Sequence, residues 1–108
     1  MNRQEFLTFQ ELFYQKNIEI TKAKNADYTG ATDDPFSNFK IVQHIGACSV
    51  EQGFITRMSD KLSRLASFTK NGTLMVKDES VKDTLSDLAN YCSLFAGYLE
   101  SQKKGGVE

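Results

Sequence analysis

Apolar residues recur at helical spacing along most of the chain, and the strongest run is Val76–Tyr98. There Val81, Leu85, Leu88, Cys92, Phe95 and Leu99 follow one another at steps of 4, 3, 4, 3 and 4. That is the packing stripe of an amphipathic helix. Glu79, Asp83, Asp87 and Asn90 form a second, acidic stripe at steps of 4, 4 and 3. Thr84, Tyr91, Leu94 and Tyr98 project beside Asp83 and Asp87 as a second apolar edge. A helix apolar on two sides is usually covered on two sides. The carboxylates are then expected to line a groove, where acids need cations beside them.

The same reading taken along the chain predicts three more helices. The first spans residues 1–24, with Phe6, Phe9, Phe13 and Ile20 on one face and Leu7 and Leu12 beside it, a face assigned to the core. Residues 25–35, NADYTGATDDP, break the pattern with Gly30, the Asp33–Asp34 pair and Pro35. A loop of that length in a small domain is often functional. Residues 36–47 read as a short helix capped by Ser37 or Asn38, with Phe39, Val42 and Ile45 as its stripe.

A long helix over 49–70 opens with the capping box Ser49 and Gln52 and stops at Asn71–Gly72. Its apolar arc is Phe54, Ile55, Met58, Leu62, Leu65 and Phe68, and Lys61 falls inside that arc. Lysine is rarely buried unpaired, so Asp83 or Asp87 is its expected partner. Arg57 and Arg64 border the same groove. The final helix spans 78–101, antiparallel to the previous one because the linker is short. Asp78, Glu79 and Ser80 cap it, and residues 102–108 are an expected frayed tail. The expected fold is one all-α domain, three long helices and one short. Three long helices cannot easily cover a last helix that is apolar on two sides. Dimerisation is expected to complete the bundle, as a two-fold homodimer.

Composition narrows the function. At 108 residues with 40% hydrophobic and 25% charged residues, the chain has the balance of a soluble globular domain. A net charge of −1 disfavours an electrostatic grip on duplex DNA. No apolar run approaches the ~20 residues that span a bilayer. Charges interrupt the N-terminal stretch too often for a signal peptide. Cys48 and Cys92 read as reduced thiols, Cys92 as a buried one on the packing stripe, which suits a cytoplasmic protein. His44, the one histidine, has no partner in sequence for zinc or for a nucleophilic triad.

The remaining candidates suit phosphate chemistry. Asp83 and Asp87 lie one helical turn apart, roughly 6 Å of rise, and can converge on one Mg²⁺, with Glu51 the best candidate for a third carboxylate. Arg57, Lys61 and Arg64 would meet phosphate oxygens. Asn25, Asp27, Tyr28 and Asn90 could read or stack on a base. Such a set would hydrolyse a phosphoanhydride with Asp83 and Asp87 as catalytic groups. The same inventory serves a protein that only binds and sequesters a nucleotide, for instance a signalling nucleotide of host defence. A third reading is a structural helical module whose Lys61 pair fixes register or joins subunits.

Several runs together resemble a known family. They are Asn25 with Asp27–Tyr28, Phe36-Ser37-Asn38-Phe39, Ser49-x-Glu51-x-Gly53, Arg57-x-x-Asp60-Lys61-x-x-Arg64, and Asp78-Glu79-Ser80-x-x-Asp83-Thr84-x-x-Asp87-Leu88-Ala89-x-Tyr91. Over about residues 22–98 they look like the small phage and bacterial family called nucleotide modification associated domain 1. The resemblance implies a role in phage nucleotide metabolism, and the host cytoplasm as its location. A looser similarity is to the MazG-like all-α nucleoside triphosphate pyrophosphatases, which hold Mg²⁺ on E-x-x-E and E-x-x-D motifs in a helical dimer. This chain departs from that pattern, offering Glu51 and Asp60 on one helix and Glu79, Asp83 and Asp87 on the next.

Overall fold

The computed structural model describes residues 1–28, 33–72 and 80–103, and the side chains of residues 25–28 lie outside that description. The described residues form an all-α protein, with α1 at Arg3–Tyr28, α2 at Ser37–His44, α3 at Val50–Asn71 and α4 at Val81–Ser101. Two compact units divide the chain, Met1–Pro35 and Phe36–Glu108.

The first unit is α1. It begins with a reciprocal box in which the Glu5 amide donates to Asn2 Oδ1 at 2.8 Å and the Asn2 amide donates to Glu5 Oε1 at 3.1 Å. The Asn2 and Glu5 side chains thereby satisfy one amide each that the first turn leaves without a helical partner. The helix runs on through Asn25–Tyr28, where a loop was expected. Nothing in Asn-Ala-Asp-Tyr breaks a helix, and the first strong breaker is Gly30. Residues 29–32 of the expected loop lie outside the described residues. On the apolar face of α1, Phe6 and Phe9 are exposed, as are Leu7 and Leu12 beside them, while Phe13 and Ile20 are half-buried. Phe9 and Phe13 stack on each other along the helix, ring centroids 6.1 Å apart.

The second unit packs α2, α3 and α4 round an aromatic core. Phe39, Val50, Phe54 and Tyr98 are buried, with Phe36, Tyr91, Leu94 and Phe95 packed against them. Phe54 has no exposed surface and is sandwiched between two rings, Phe39 at 4.3 Å and Phe95 at 4.8 Å. Phe54 near the start of α3 meets Phe95 near the end of α4, while Lys61 farther along α3 meets Asp87 nearer the start of α4. The two helices therefore run antiparallel, as the sequence predicts.

Their ends follow from local chemistry. At α3 the Gln52 amide donates to Ser49 Oγ at 3.1 Å and the Ser49 amide donates to Gln52 Oε1 at 3.0 Å, so the expected capping box forms. Gly72 closes α3 in the left-handed region at φ +80°, a conformation that residues with a side chain adopt only under strain. At α4 Ser80 is the N-cap and Asp83 its third residue, completing a second box. The helix starts three residues later than expected, and Thr73–Glu79, including Asp78 and Glu79, lie outside the described residues. The short helix α2 has Phe36 at its cap with no side-chain bond, in place of Ser37 or Asn38. Ile45 falls beyond its end and is exposed.

Candidate functional site

Across α3 and α4, Phe54 meets Phe95 and Tyr98, and Lys61 meets Asp87; helical spacing continues this contact line through Phe54 and Lys61 on one helix and Thr84, Tyr91 and Tyr98 on the other. Thr84 and Tyr98 are buried and Tyr91 half-buried. This corrects the expectation for α4. The stripe with the larger apolar mass, Val81 to Leu99, is packed only in part: Phe95 lies on the core and Val81 and Leu88 are half-buried, but Leu85, Cys92 and Leu99 are exposed. The second edge, Thr84, Tyr91, Leu94 and Tyr98, faces the core. Ile55 and Leu62, assigned to the buried arc of α3, are likewise exposed. Cys48 and Cys92 are both free thiols.

Two glycines mark the side on which α2 lies. Gly53 precedes Phe54 by one, and a Cβ there would come within 3.0 Å of a Val42 methyl. Gly97 precedes Tyr98 by one, and a Cβ there would meet the Phe36 ring at 3.4 Å. Glycine in a helix costs about 0.5–1 kcal/mol relative to alanine. At Gly53 it lets the α2 layer approach the backbone of α3 more closely than a methyl group would, whereas at Gly97 a methyl would stand in ordinary van der Waals contact with Phe36. Gly53 is a sequence signal of close packing that the hydrophobic pattern alone passes over.

Most of the candidate polar residues share this side. Asp83 and Asn90 each precede a contact-line residue by one, as Gly53 and Gly97 do. Arg57 places its guanidinium carbon 4.9 Å from the centroid of the Phe39 ring, a cation–π contact that also fixes its side. Arg64 follows Arg57 by two helical turns and pairs with Asp60 at 3.4 Å. Between them, Lys61 Nζ meets Asp87 Oδ2 at 3.0 Å, the lysine side chain 12% exposed and the aspartate 25%. A partly buried lysine meets one of its two expected carboxylates. Arg57, Lys61, Arg64, Asp83, Asp87 and Asn90 thus border one margin of the hairpin. The Phe39 ring beneath Arg57 is the contributor that sequence reasoning missed, because no periodicity links a residue on α2 to one on α3.

The carboxylates are less well assembled. The Ser80 amide donates to Asp83 Oδ2 at 3.0 Å, so Asp83 has a structural task as part of a capping box. Asp87 neutralises Lys61. Glu51, expected beside Asp83, lies exposed in the first turn of α3. That end of the hairpin is level with Tyr98, and Asp83 sits near the other end, roughly 20 Å along the axis at 1.5 Å per residue. The set Glu51, Asp83 and Asp87 does not meet, and no cluster of three metal-capable side chains occurs among the described residues. The donors present do not fit the expected Mg²⁺ site as a whole, and only Asp83 and Asp87 remain close enough in sequence to share an ion. Asn25, Asp27 and Tyr28 belong to the first unit, and their side chains are outside the described residues.

No described helix is long and apolar enough to cross a membrane. The chain matches no family model, no curated protein and no solved structure.

Proposed function

We propose that the protein binds a nucleotide, or a related phosphorylated small molecule, through the basic margin of α3. The observation that carries this reading is the placement of Arg57, Lys61 and Arg64 within two turns on one side of the helix hairpin. The Arg57 guanidinium stands over the Phe39 ring at 4.9 Å, a contact that restricts its fork before any ligand arrives. Phosphate oxygens take charge-assisted hydrogen bonds from such groups. Asn90 on the same side offers both a donor and an acceptor to a base or sugar. The resemblance to phage nucleotide-metabolism proteins points to the same ligand class.

Binding without turnover is the reading preferred here, in which the protein sequesters its nucleotide. It follows from the carboxylates: Asp87 already faces a cation, Asp83 already caps a helix, and Glu51 is remote. The test is a thermal-shift panel of nucleoside mono-, di- and triphosphates, with and without Mg²⁺. A ligand at 100 times its dissociation constant is expected to add ~2.7 kcal/mol of stability. The effect should persist without Mg²⁺, and the nucleotide should be recovered unchanged after denaturation. Lys61→Met should abolish the shift. A panel without any shift, or one untouched by Lys61→Met, would refute the reading.

The second reading is Mg²⁺-dependent hydrolysis of a nucleoside triphosphate. It is favoured by Asp83 and Asp87, one turn apart on the side of the basic residues. Asp83→Asn and Asp87→Asn keep size and hydrogen-bonding capacity. If hydrolysis is the activity, each should remove turnover while leaving the fold in place.

A further inference from the structure

The side of the hairpin opposite α2 is the less expected feature. Ile55 and Leu62 each follow a contact-line residue by one, Phe54 and Lys61. Leu85, Cys92 and Leu99 follow Thr84, Tyr91 and Tyr98 in the same way. Antiparallel helices seen end on wind in opposite senses. A displacement of one residue past the contact line, about 100° on each helix, therefore brings both sets to the same side. Gly53 and Gly97, displaced by one in the other direction, lie under α2, which confirms the geometry. The second unit therefore presents a face two helices wide that none of its described elements covers. Ile55 is 53% exposed, Leu62 54%, Leu85 42% and Leu99 46%.

The charge pattern says what fits this face. Between Glu51 and Lys70 every charged residue of α3 (Arg57, Asp60, Lys61 and Arg64) lies at the contact line or on the α2 side, so this face of α3 carries none. Its residues are Ile55, Met58, Ser59, Leu62, Ala66 and Thr69. The acid stands at one end of the helix and the base at the other, both exposed. A partner with the opposite order of charges is the same helix turned end for end. A two-fold axis across the middle of α3 sets each Glu51 towards the partner's Lys70 at both ends at once. The plate is roughly 28 Å long at 1.5 Å per residue and two helices wide. That is on the scale of the about 800 Å² that each partner contributes to a standard stable interface.

We propose that two copies of the chain associate through this face, α3 against α3 in antiparallel order, with Glu51 and Lys70 paired across the two-fold axis. The arrangement is closed and isologous, so the apolar patch is consumed without propagating a filament. It also leaves the basic margin on the outside of each copy, because that margin lies on the α2 side.

The test is sedimentation velocity on the full chain over a micromolar concentration series, with circular dichroism as a control for helix content. The wild type should sediment as a dimer. Leu62→Glu and Leu85→Glu, both at exposed positions, should each weaken association tenfold or more without loss of helix. Glu51→Lys and Lys70→Glu should each weaken it, because each sets like charges opposite one another. The double exchange should restore it. A wild type that stays monomeric overturns the proposal, as does a dimer indifferent to Leu62→Glu and Leu85→Glu. A double exchange no tighter than the single ones overturns the antiparallel pairing. Association through α1 or with a different protein would appear as one of these refuting results.

Discussion

Phe54→Ala removes the ring on which the second unit is built. The side chain has no exposed surface, and it stands between Phe39 at 4.3 Å and Phe95 at 4.8 Å, both nearly parallel to it. Truncating a fully buried phenylalanine costs about 3–5 kcal/mol, transfer and cavity together. Two aromatic contacts are lost, each worth roughly 0.5–1.5 kcal/mol beyond area, so the upper half of that range is expected. A domain has only about 0.05–0.15 kcal/mol of stability per residue, and the variant should stand near the unfolding threshold at room temperature. Urea titration followed by circular dichroism at 222 nm gives the measurement. The expected result is a midpoint lowered by more than half with little change in slope, since slope follows the surface exposed on unfolding. Phe54→Leu should lose markedly less. A loss below about 1.5 kcal/mol, well under the range for such truncations, would mean that the aromatic sandwich is not what holds α2, α3 and α4 together.

Two further perturbations address the polar parts. Asp87→Ala deprives Lys61 of the carboxylate at 3.0 Å; breaking a fully buried pair costs 3–5 kcal/mol, and with both groups partly solvated about 1–2 is expected. A double-mutant cycle with Lys61→Met should show coupling of at least ~0.5 kcal/mol, and additive effects would reduce the contact to an incidental one. Ser80→Ala opens the α4 capping box and should cost about 1 kcal/mol, read as a melting temperature lower by roughly 4–8 °C for a unit of this size; an unchanged temperature would show that the first turn of α4 contributes nothing to folding.

Much of this was legible in the sequence where the determinants are local. The Ser49–Gln52 box, the glycine stop at Gly72 and the antiparallel run of the two long helices all depend on neighbours a few residues away. A lysine within an apolar arc, opposite an acidic stripe, was enough to anticipate the Lys61–Asp87 pair. The failures are non-local. Spacing shows that α4 has two apolar edges but not that the packed strip takes Phe95 from one and Thr84, Tyr91 and Tyr98 from the other. Apolar mass favours Leu85, Leu88 and Leu99, whereas the decision lies with rings on other helices, Phe36, Phe39 and Phe54. The same ignorance of partners assigned Ile55, Leu62, Phe6 and Phe9 to a core. Glu51 was placed with Asp83 by helical angle alone; their separation along the axis follows only from the register of α3 on α4, which the Phe54–Phe95 and Lys61–Asp87 contacts set.

The Phe39–Phe54–Phe95 stack also has an optical consequence. The chain contains no tryptophan, so no strong indole band overlies the weaker phenylalanine and tyrosine transitions. Rings locked within 14° and 7° of parallel sit in a fixed asymmetric field, and near-ultraviolet dichroism vanishes when such packing loosens, even if the helices survive. Phe39 lies at one end of the stack with the Arg57 guanidinium over its ring. An anion that draws Arg57 away alters the electrostatic environment of that chromophore. The core then reports occupancy of the basic margin in the phenylalanine fine structure, without a label and without an engineered probe.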